Sequence, residues 1–199
     1  ALDIAYLKCV QDLIVSSPRN GNELRNLLYT ALEYNDGPFA IRYPKASSEE
    51  FDQNLQAELL PIGSWEVLQN GNDVAILAVG PLTYLALEAA EELKKLDISC
   101  EVVNCRFIKP MDENYLEFML EKFSSVLTIE EGVRSGGFGE GVLSWLSSNN
   151  YKGNSSIISL PDKFVEHGPR DLLLEKWGIN KEQIIKTVTS FKSSLKTEF

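Results

Sequence analysis

The chain begins with short apolar runs that alternate with an amphipathic segment. Asp12–Ser16 and Phe39–Tyr43 predict two short strands. Between them, Asn22–Tyr34 carries apolar residues at helical spacing, and the turn residues 35–38 end this predicted helix. The predicted apolar stripe of the helix consists of Leu24, Leu27, Leu28, Ala31 and Leu32. The order strand–helix–strand is typical of a parallel sheet.

The next segment, residues 46–61, is polar and acidic and has no clear period. Such a composition is typical of a linker between domains. We therefore expect three parts: residues 1–45 as the tail of one α/β domain, residues 46–61 as a linker, and residues 62–199 as a second domain.

Strands and helices alternate throughout the predicted second domain. Asn70-Gly71 predicts a hairpin between its first two strands. Asp112 and Asn180 are predicted helix N-caps. The strands are predicted at Ser64–Gln69, Asp73–Val79, Ile98–Asn104, Ser125–Ile129 and Ser156–Leu160. The last helix has the stripe Ile184, Val188, Phe191 and Leu195. The fold class expected is α/β, with a mainly parallel sheet and helices on both faces.

Composition and charge exclude some classes of binding partner. The 199 residues are 44% hydrophobic and 24% charged, as in globular proteins. The net charge of −10 repels nucleic acid and anionic membranes, so neither is an expected partner. No run of about 18 apolar residues predicts a membrane span. With no initiator Met and no signal-peptide pattern, the chain is expected to be a fragment of a longer cytoplasmic protein.

Few residues are candidates for metal binding or for nucleophilic catalysis. Cys9, Cys100 and Cys105 have no metal-ligand spacing, so we expect reduced thiols. His167 is the single histidine, which leaves no histidine cluster for a metal. It is a candidate for acid–base work, but a loop histidine that is exposed at the surface or hydrogen-bonded locally is the favoured interpretation.

The glycine-rich segment Gly132–Gly139 follows a predicted strand and precedes a helix. This context suits phosphate binding at a helix N-terminus. However, Glu130 and Glu131 stand directly before the segment and would oppose a bound anion. A tight strand-to-helix turn that needs glycine is the favoured alternative.

Basic residues follow two of the predicted strands. Arg42 and Lys45 end the strand of the first lobe, and ligands of parallel α/β sheets bind at the carboxyl ends of strands. An anionic ligand or a solvated pair of cations are the alternatives there. Arg106 follows another strand, where it would bind an anion or, as favoured, pair with Glu130 or Glu131.

Several strings in order carry a resemblance to a known family: Asp3–Cys9, Glu23–Thr30, Asp36–Pro44, Arg106–Asp112, Glu130–Gly132 with Gly136–Gly139, and Leu160–Gly168. Together they resemble the C-terminal third of the 1-deoxy-D-xylulose-5-phosphate synthase family of transketolase-like thiamine diphosphate enzymes. The resemblance implies the tail of a pyrimidine-binding domain followed by a C-terminal domain.

The resemblance also implies an activity. Enzymes of this family use thiamine diphosphate and Mg²⁺ to decarboxylate pyruvate and join it to glyceraldehyde 3-phosphate, giving an isoprenoid precursor. The family's metal-binding motif, its activating glutamate and its active-site histidine would all fall before Ala1. No catalytic, cofactor-binding or metal-binding residue is therefore expected in this chain, and the fragment is expected to be inactive alone. A homodimer is expected for the whole enzyme.

One functional position is carried over by the resemblance. The family pattern Arg-Tyr-Pro-Arg-Gly places a phosphate-binding arginine where this chain has Lys45, followed by Ala46, and its first arginine matches Arg42. Lysine keeps the charge but loses the bidentate fork of arginine. Lys45 and Arg42 are the predicted substrate phosphate-binding residues. The alternatives are a dimerisation or interaction module and the β-type subunit of a 2-oxoacid dehydrogenase.

Overall fold

The computed structural model describes residues 1–48 and 50–195. The strands are β1 (Ile14–Ser16), β2 (Phe39–Ile41), β3 (Glu66–Gln69), β4 (Val74–Ala78), β5 (Cys100–Asn104), β6 (Phe107–Lys109), β7 (Ser125–Val133) and β8 (Asn154–Leu160). The helices are α1 (Asp3–Lys8), α2 (Gly21–Glu33), α3 (Leu82–Lys94), α4 (Glu113–Lys122), α5 (Phe138–Ser148), α6 (Arg170–Lys176) and α7 (Lys181–Leu195).

A three-stranded sheet in the order β2-β1-β6 contains both strands of the predicted first lobe. β1 and β2 are parallel, as the strand–helix–strand pattern predicted, with Ile14 opposite Phe39. β6 is antiparallel to β1, with Ser16 opposite Phe107. The sequence analysis did not predict β6, which begins only two residues after the end of β5. Residues beyond 62 thus complete the first sheet.

The second sheet has the order β3-β5-β4-β7-β8. Four of its strands, β5, β4, β7 and β8, run parallel to one another, with Val74 opposite Cys100 and Ser125 opposite Asn154. Only β3, at one edge, is antiparallel. The mainly parallel sheet is therefore confirmed. β2 and β4 belong to different sheets.

Helices cover both faces of this second sheet, as predicted. Successive residues of β4 point to opposite faces. Ile76 packs in a core with residues of α3 and α7, and Leu77 packs in a separate core with residues of α4 and α5. The second core also includes Ile4 of α1 and Val15 of β1. The two sheets therefore share part of one hydrophobic core.

The predicted hairpin at Asn70-Gly71 is wrong. β3 pairs with β5, and β5 lies between β3 and β4. Gly71 is required for a different reason, since a Cβ added there would stand 2.1 Å from the backbone carbon of Cys100. The close approach of two backbones accounts for this glycine.

The apolar stripe predicted for α2 is only partly buried. Leu27 is fully buried, together with Glu23 and Thr30, but Leu28 is 50% exposed and Leu32 is 80% exposed. The buried face is thus one residue away from the leucine-rich stripe. The exposed leucines form an apolar face that the described residues do not cover.

The segment predicted as a linker lies along α2. Its described residues form no helix or strand. The backbone N–H groups of Asp52, Glu58 and Leu60 donate to side chains of α2 over 2.9 to 3.1 Å. Side-chain acceptors on the helix therefore hold the segment in place.

Both predicted N-caps are confirmed. Asp112 Oδ1 accepts a hydrogen bond from the backbone N–H of Tyr115 over 2.9 Å. Asn180 Oδ1 accepts one from the N–H of Gln183, also over 2.9 Å. Ile184, Val188 and Phe191 of the last predicted stripe are buried. The side chain of Leu195 lies outside the described residues.

Within the described part of the chain, none of the helices has the length and apolar character needed to cross a membrane.

Candidate functional site

A cavity of about 850 Å³ opens beside the segment that follows β2. Arg42 and Lys45 line it from the first sheet. Glu131 of β7, the segment 162–169 after β8, and Arg170 of α6 line it from the second. We call this the inter-sheet cavity. Both predicted phosphate-binding residues therefore lie at one cavity, to which both sheets contribute.

Arg42 is held by neighbouring groups. Its Nε donates to a carboxylate oxygen of Asp3, and its Nη2 donates to the backbone carbonyl of Glu131. Burial alone would raise the pKa of Asp3, but the adjacent Arg42 guanidinium lowers it below the usual value. Arg42 thus links α1, β2 and β7, and its side chain is only 14% exposed.

Arg170 is also paired. Its Nε lies 2.8 Å and its Nη2 2.7 Å from Oε2 of Glu131. Glu131 therefore contacts Arg42 through its carbonyl and Arg170 through its carboxylate. These contacts satisfy two of the cavity's four basic side chains.

Lys45 has a different environment. Its side chain is exposed, and within the described residues it has no hydrogen bond or ion pair. It also lines a second cavity of about 490 Å³ beside the start of α2, where Arg19 is a further cation. The ammonium group of Lys45 is thus available to an anionic ligand. Its role in binding phosphate stays a prediction, as does that of Arg42.

The glycine-rich segment forms a tight turn whose helix N-terminus is already occupied. Glu130 is fully buried, and its carboxylate accepts 2.8 Å hydrogen bonds from the backbone N–H groups of Phe138 and Gly139. Burial raises the pKa of Glu130, although both N–H groups oppose this shift. A Cβ at Gly137 would lie 2.4 Å from the carbonyl oxygen of Val133. The protein's own carboxylate therefore takes the position that a phosphate would need.

α1 docks against this turn. Lys8 Nζ donates a 2.5 Å hydrogen bond to the carbonyl of Gly137. Burial lowers the pKa of Lys8, while the nearby Glu130 carboxylate opposes that shift. The contact joins the first lobe to the start of α5.

The predicted pairing of Arg106 with Glu130 or Glu131 is wrong. Arg106 Nε donates to the carbonyl of Ser64 over 3.0 Å, and its Nη1 lies 3.9 Å from Glu23. The reason is strand order: Arg106 follows β5, the glutamates lie on β7, and β4 separates these strands. Burial raises the pKa of Glu23, although the contacts with Arg19 and Arg106 oppose part of this rise.

The remaining candidates support a binding role. All three cysteines are free thiols, with Cys9 exposed and Cys100 and Cys105 buried. Within residues 1–48 and 50–195, no three His, Cys, Asp or Glu side chains are grouped to hold a metal ion. His167 is exposed and lines the inter-sheet cavity, which no described serine or cysteine lines.

Sequence reasoning missed Lys163 and Arg170 at this cavity. Both follow the end of β8, at Leu160, and the rule that ligands bind at carboxyl ends of parallel strands applies there as well as after β2. The predicted order of strands and helices already indicated a candidate ligand position at the carboxyl end of β8.

Comparison with known proteins gives a consistent set of relatives. The family "Transketolase, C-terminal domain" matches residues 63–184. A 1-deoxy-D-xylulose-5-phosphate synthase of Geobacillus sp. (strain WCH70) is 43% identical over 189 residues, covering 94% of this chain and 30% of the relative. One from Bacillus cereus (strain AH820) is 41% identical over the same shares. The chain thus spans about 30% of the length of these relatives.

A solved structure is also similar. The structure titled "Split gene transketolase, inactive beta4 tetramer" has a TM-score of 0.84 and 29% sequence identity, covering 95% of this chain and 60% of the other. The similarity extends over both sheets.

Proposed function

The chain belongs to the transketolase C-terminal domain family, and from this premise we propose that it is the C-terminal part of a 1-deoxy-D-xylulose-5-phosphate synthase. The whole enzyme would be a thiamine diphosphate-dependent transferase that decarboxylates pyruvate and joins the product to glyceraldehyde 3-phosphate. The observation that carries this proposal is the 43% identity with such a synthase over 94% of the chain. The enzyme would be cytoplasmic and a homodimer.

The residues of this chain do not fit thiamine diphosphate or its Mg²⁺. The helix N-terminus after the glycine-rich turn is filled by Glu130, and no metal-ligating group of three occurs among the described residues. We therefore assign the cofactor and metal to parts of the protein outside this chain. This chain would contribute binding of the acceptor substrate.

Lys45 is the residue that we assign to the acceptor phosphate. Its unpaired ammonium lies at the inter-sheet cavity, where a phosphate dianion would gain a charge-assisted hydrogen bond. Arg42 lines the same cavity, but its guanidinium already binds Asp3 and Glu131. We assign it a supporting role, in which it fixes the backbone that carries Lys45.

A fusion protein tests the proposal. The portion of the Geobacillus relative that precedes the matched region would be joined to this chain, and formation of 1-deoxy-D-xylulose 5-phosphate measured. We expect turnover by the fusion and none by the 199-residue chain alone. Lys45→Ala should raise KM for glyceraldehyde 3-phosphate roughly tenfold, while Lys45→Arg should keep it near the unmodified value. A fusion that folds and dimerises but makes no product would contradict the proposed activity.

One observation favours a second candidate, an interaction module or a β-type subunit of a 2-oxoacid dehydrogenase. Leu28 and Leu32 leave an apolar face on α2, which suits docking against another polypeptide. Under this reading the chain would never bind the phosphorylated aldehyde. An unchanged KM in the Lys45→Ala fusion would favour it over the synthase.

A further inference from the structure

The inter-sheet cavity is locally basic in an acidic protein. Four basic side chains line it against the two carboxylates of Glu131 and Asp162, whereas the whole chain has a net charge of −10. A local excess of positive charge in a concave site attracts anionic ligands. The cavity is therefore matched to an anion.

The basic groups divide into paired and unpaired sets. Arg42 and Arg170 are bound to carboxylate and carbonyl oxygens, as described above. The side chains of Lys45, Lys163 and His167 have no hydrogen bond or ion pair with any described residue. All three are exposed, so their nitrogen atoms are free to turn toward a ligand in the cavity. Asp162 is the one unpaired carboxylate among the lining residues. Its negative charge offsets part of the attraction between the cavity and an anion.

A phosphate group needs more than one of these donors. Lysine presents a point charge and lacks the planar fork with which arginine binds two phosphate oxygens at once. Lys45 replaces the arginine of the resembled pattern, so a phosphate bound by Lys45 alone would keep oxygen atoms that have no hydrogen-bond donor. Lys163 and His167, on the segment after β8, line the same cavity and supply additional donors.

The rest of the cavity suits the carbon portion of a small phosphorylated ligand. Leu160 at the end of β8, Val133 of β7 and Leu173 of α6 line it with apolar surface. Ligand sites typically combine apolar walls with a few placed polar groups. The lining thus offers a place for a phosphate and a place for a short carbon chain.

We propose that Lys163 and His167 join Lys45 to form a three-donor site for the phosphate group of a small phosphorylated ligand. The identification of that ligand as the aldehyde acceptor rests on the proposed function. The binding chemistry itself depends only on the cavity. Lys163 and His167 are then binding residues that the resemblance did not assign.

Binding to the 199-residue chain tests this directly. Calorimetric titration with glyceraldehyde 3-phosphate and with inorganic phosphate would be compared for the unmodified chain, Lys163→Gln and His167→Asn. Each variant should weaken both ligands by roughly fivefold to tenfold, as expected for one charge-assisted hydrogen bond at an exposed site. Unphosphorylated glyceraldehyde should bind weakly and equally to all three proteins.

Lys152→Gln is the matched control, because it removes the same charge from an exposed lysine that lies before β8, away from the inter-sheet cavity. If Lys163→Gln and His167→Asn bind phosphate as well as this control, the three-donor site is overturned, even when Lys45→Ala weakens binding. Lack of phosphate binding by the unmodified chain overturns it too. If binding depends on Lys163 and His167 but the fusion makes no product, the proposed function fails and the site stands.

Discussion

The buried carboxylate of Glu130 provides a stringent test of how the start of α5 is held against β7. Glu130→Ala removes the acceptor of two 2.8 Å hydrogen bonds from the N–H groups of Phe138 and Gly139. Hydrogen bonds to charged groups contribute about 1.5–3 kcal/mol each, and the two N–H groups would remain buried without partners. The desolvation of the charge offsets part of this gain. We therefore expect the free energy of unfolding to fall by about 3 kcal/mol.

The same residue gives a pH dependence whose sign is fixed by burial. Burial raises the folded-state pKa of Glu130 above the ordinary value of 4.5. The folded protein then binds this proton more readily than the unfolded chain does, so the contribution to stability is complete below pH 4.5 and is lost as the pH rises through the folded-state pKa. Glu130→Gln cannot titrate. The free energy of unfolding of the unmodified chain should therefore fall relative to that of Glu130→Gln as the pH rises from 4.5 toward 8.

Urea denaturation of the 199-residue chain would measure both effects, with thermal unfolding as a second probe. A loss of about 3 kcal/mol corresponds to a fall in Tm of roughly 6–12 °C for a chain of this size. Glu117→Ala, which removes an exposed glutamate from α4, is the control and should change stability by less than about 0.5 kcal/mol. If Glu130→Ala costs no more than this control, the carboxylate does not cap α5 as described.

Three further predictions concern local structure. Asp112→Ala should destabilise the chain by about 2 kcal/mol in urea denaturation, because its carboxylate accepts from the N–H groups of both Tyr115 and Trp65; a loss below about 0.5 kcal/mol would contradict this. Gly71→Ala should destabilise it more than Gly168→Ala, whose added Cβ meets nothing closer than 3.6 Å; equal losses in the same assay would refute the close backbone approach. An aromatic disulfide reagent at pH 8 should modify one thiol per native chain and three after denaturation, since Cys9 is exposed while burial raises the pKa of Cys100 to about 12; rapid modification of all three native thiols would contradict the described burial.

Features that depend on local chemistry could be predicted from the sequence. Asp112 and Asn180 were recognisable as N-caps because a cap needs only a side-chain acceptor two or three residues before an N–H group. The parallel arrangement of the second sheet followed from the alternation of apolar runs with amphipathic segments. These signals lie within a few residues of the structure that they specify.

Features that depend on distant pairing could not be predicted in the same way. Asn70-Gly71 has hairpin chemistry, yet the strands on either side are separated by β5, which pairs with both. Arg106 was assigned to glutamates on β7, from which β4 separates it. Strand order is decided by packing across the whole domain, and no local pattern encodes it.

The candidate site contains residues that local sequence predicted and residues that only the folded arrangement brings together. Lys45 was found because it follows a predicted strand and matches a family pattern, and the structure places it at the inter-sheet cavity. Arg42 satisfied the same rule, but its guanidinium is bound to Asp3, which lies 39 residues earlier in the chain and is brought to Arg42 by folding. Lys163 and His167 reach the same cavity through the arrangement of β2 and β8, which belong to different sheets.

Product analysis of the fusion protein tests the central claim most directly. Supplied with pyruvate, glyceraldehyde 3-phosphate, thiamine diphosphate and Mg²⁺, the fusion should release 1-deoxy-D-xylulose 5-phosphate. Lys45→Ala should slow this reaction at low aldehyde concentration and leave it nearly unchanged at saturation. A folded fusion that releases no 1-deoxy-D-xylulose 5-phosphate, or that forms it with no dependence on Lys45, would contradict the account.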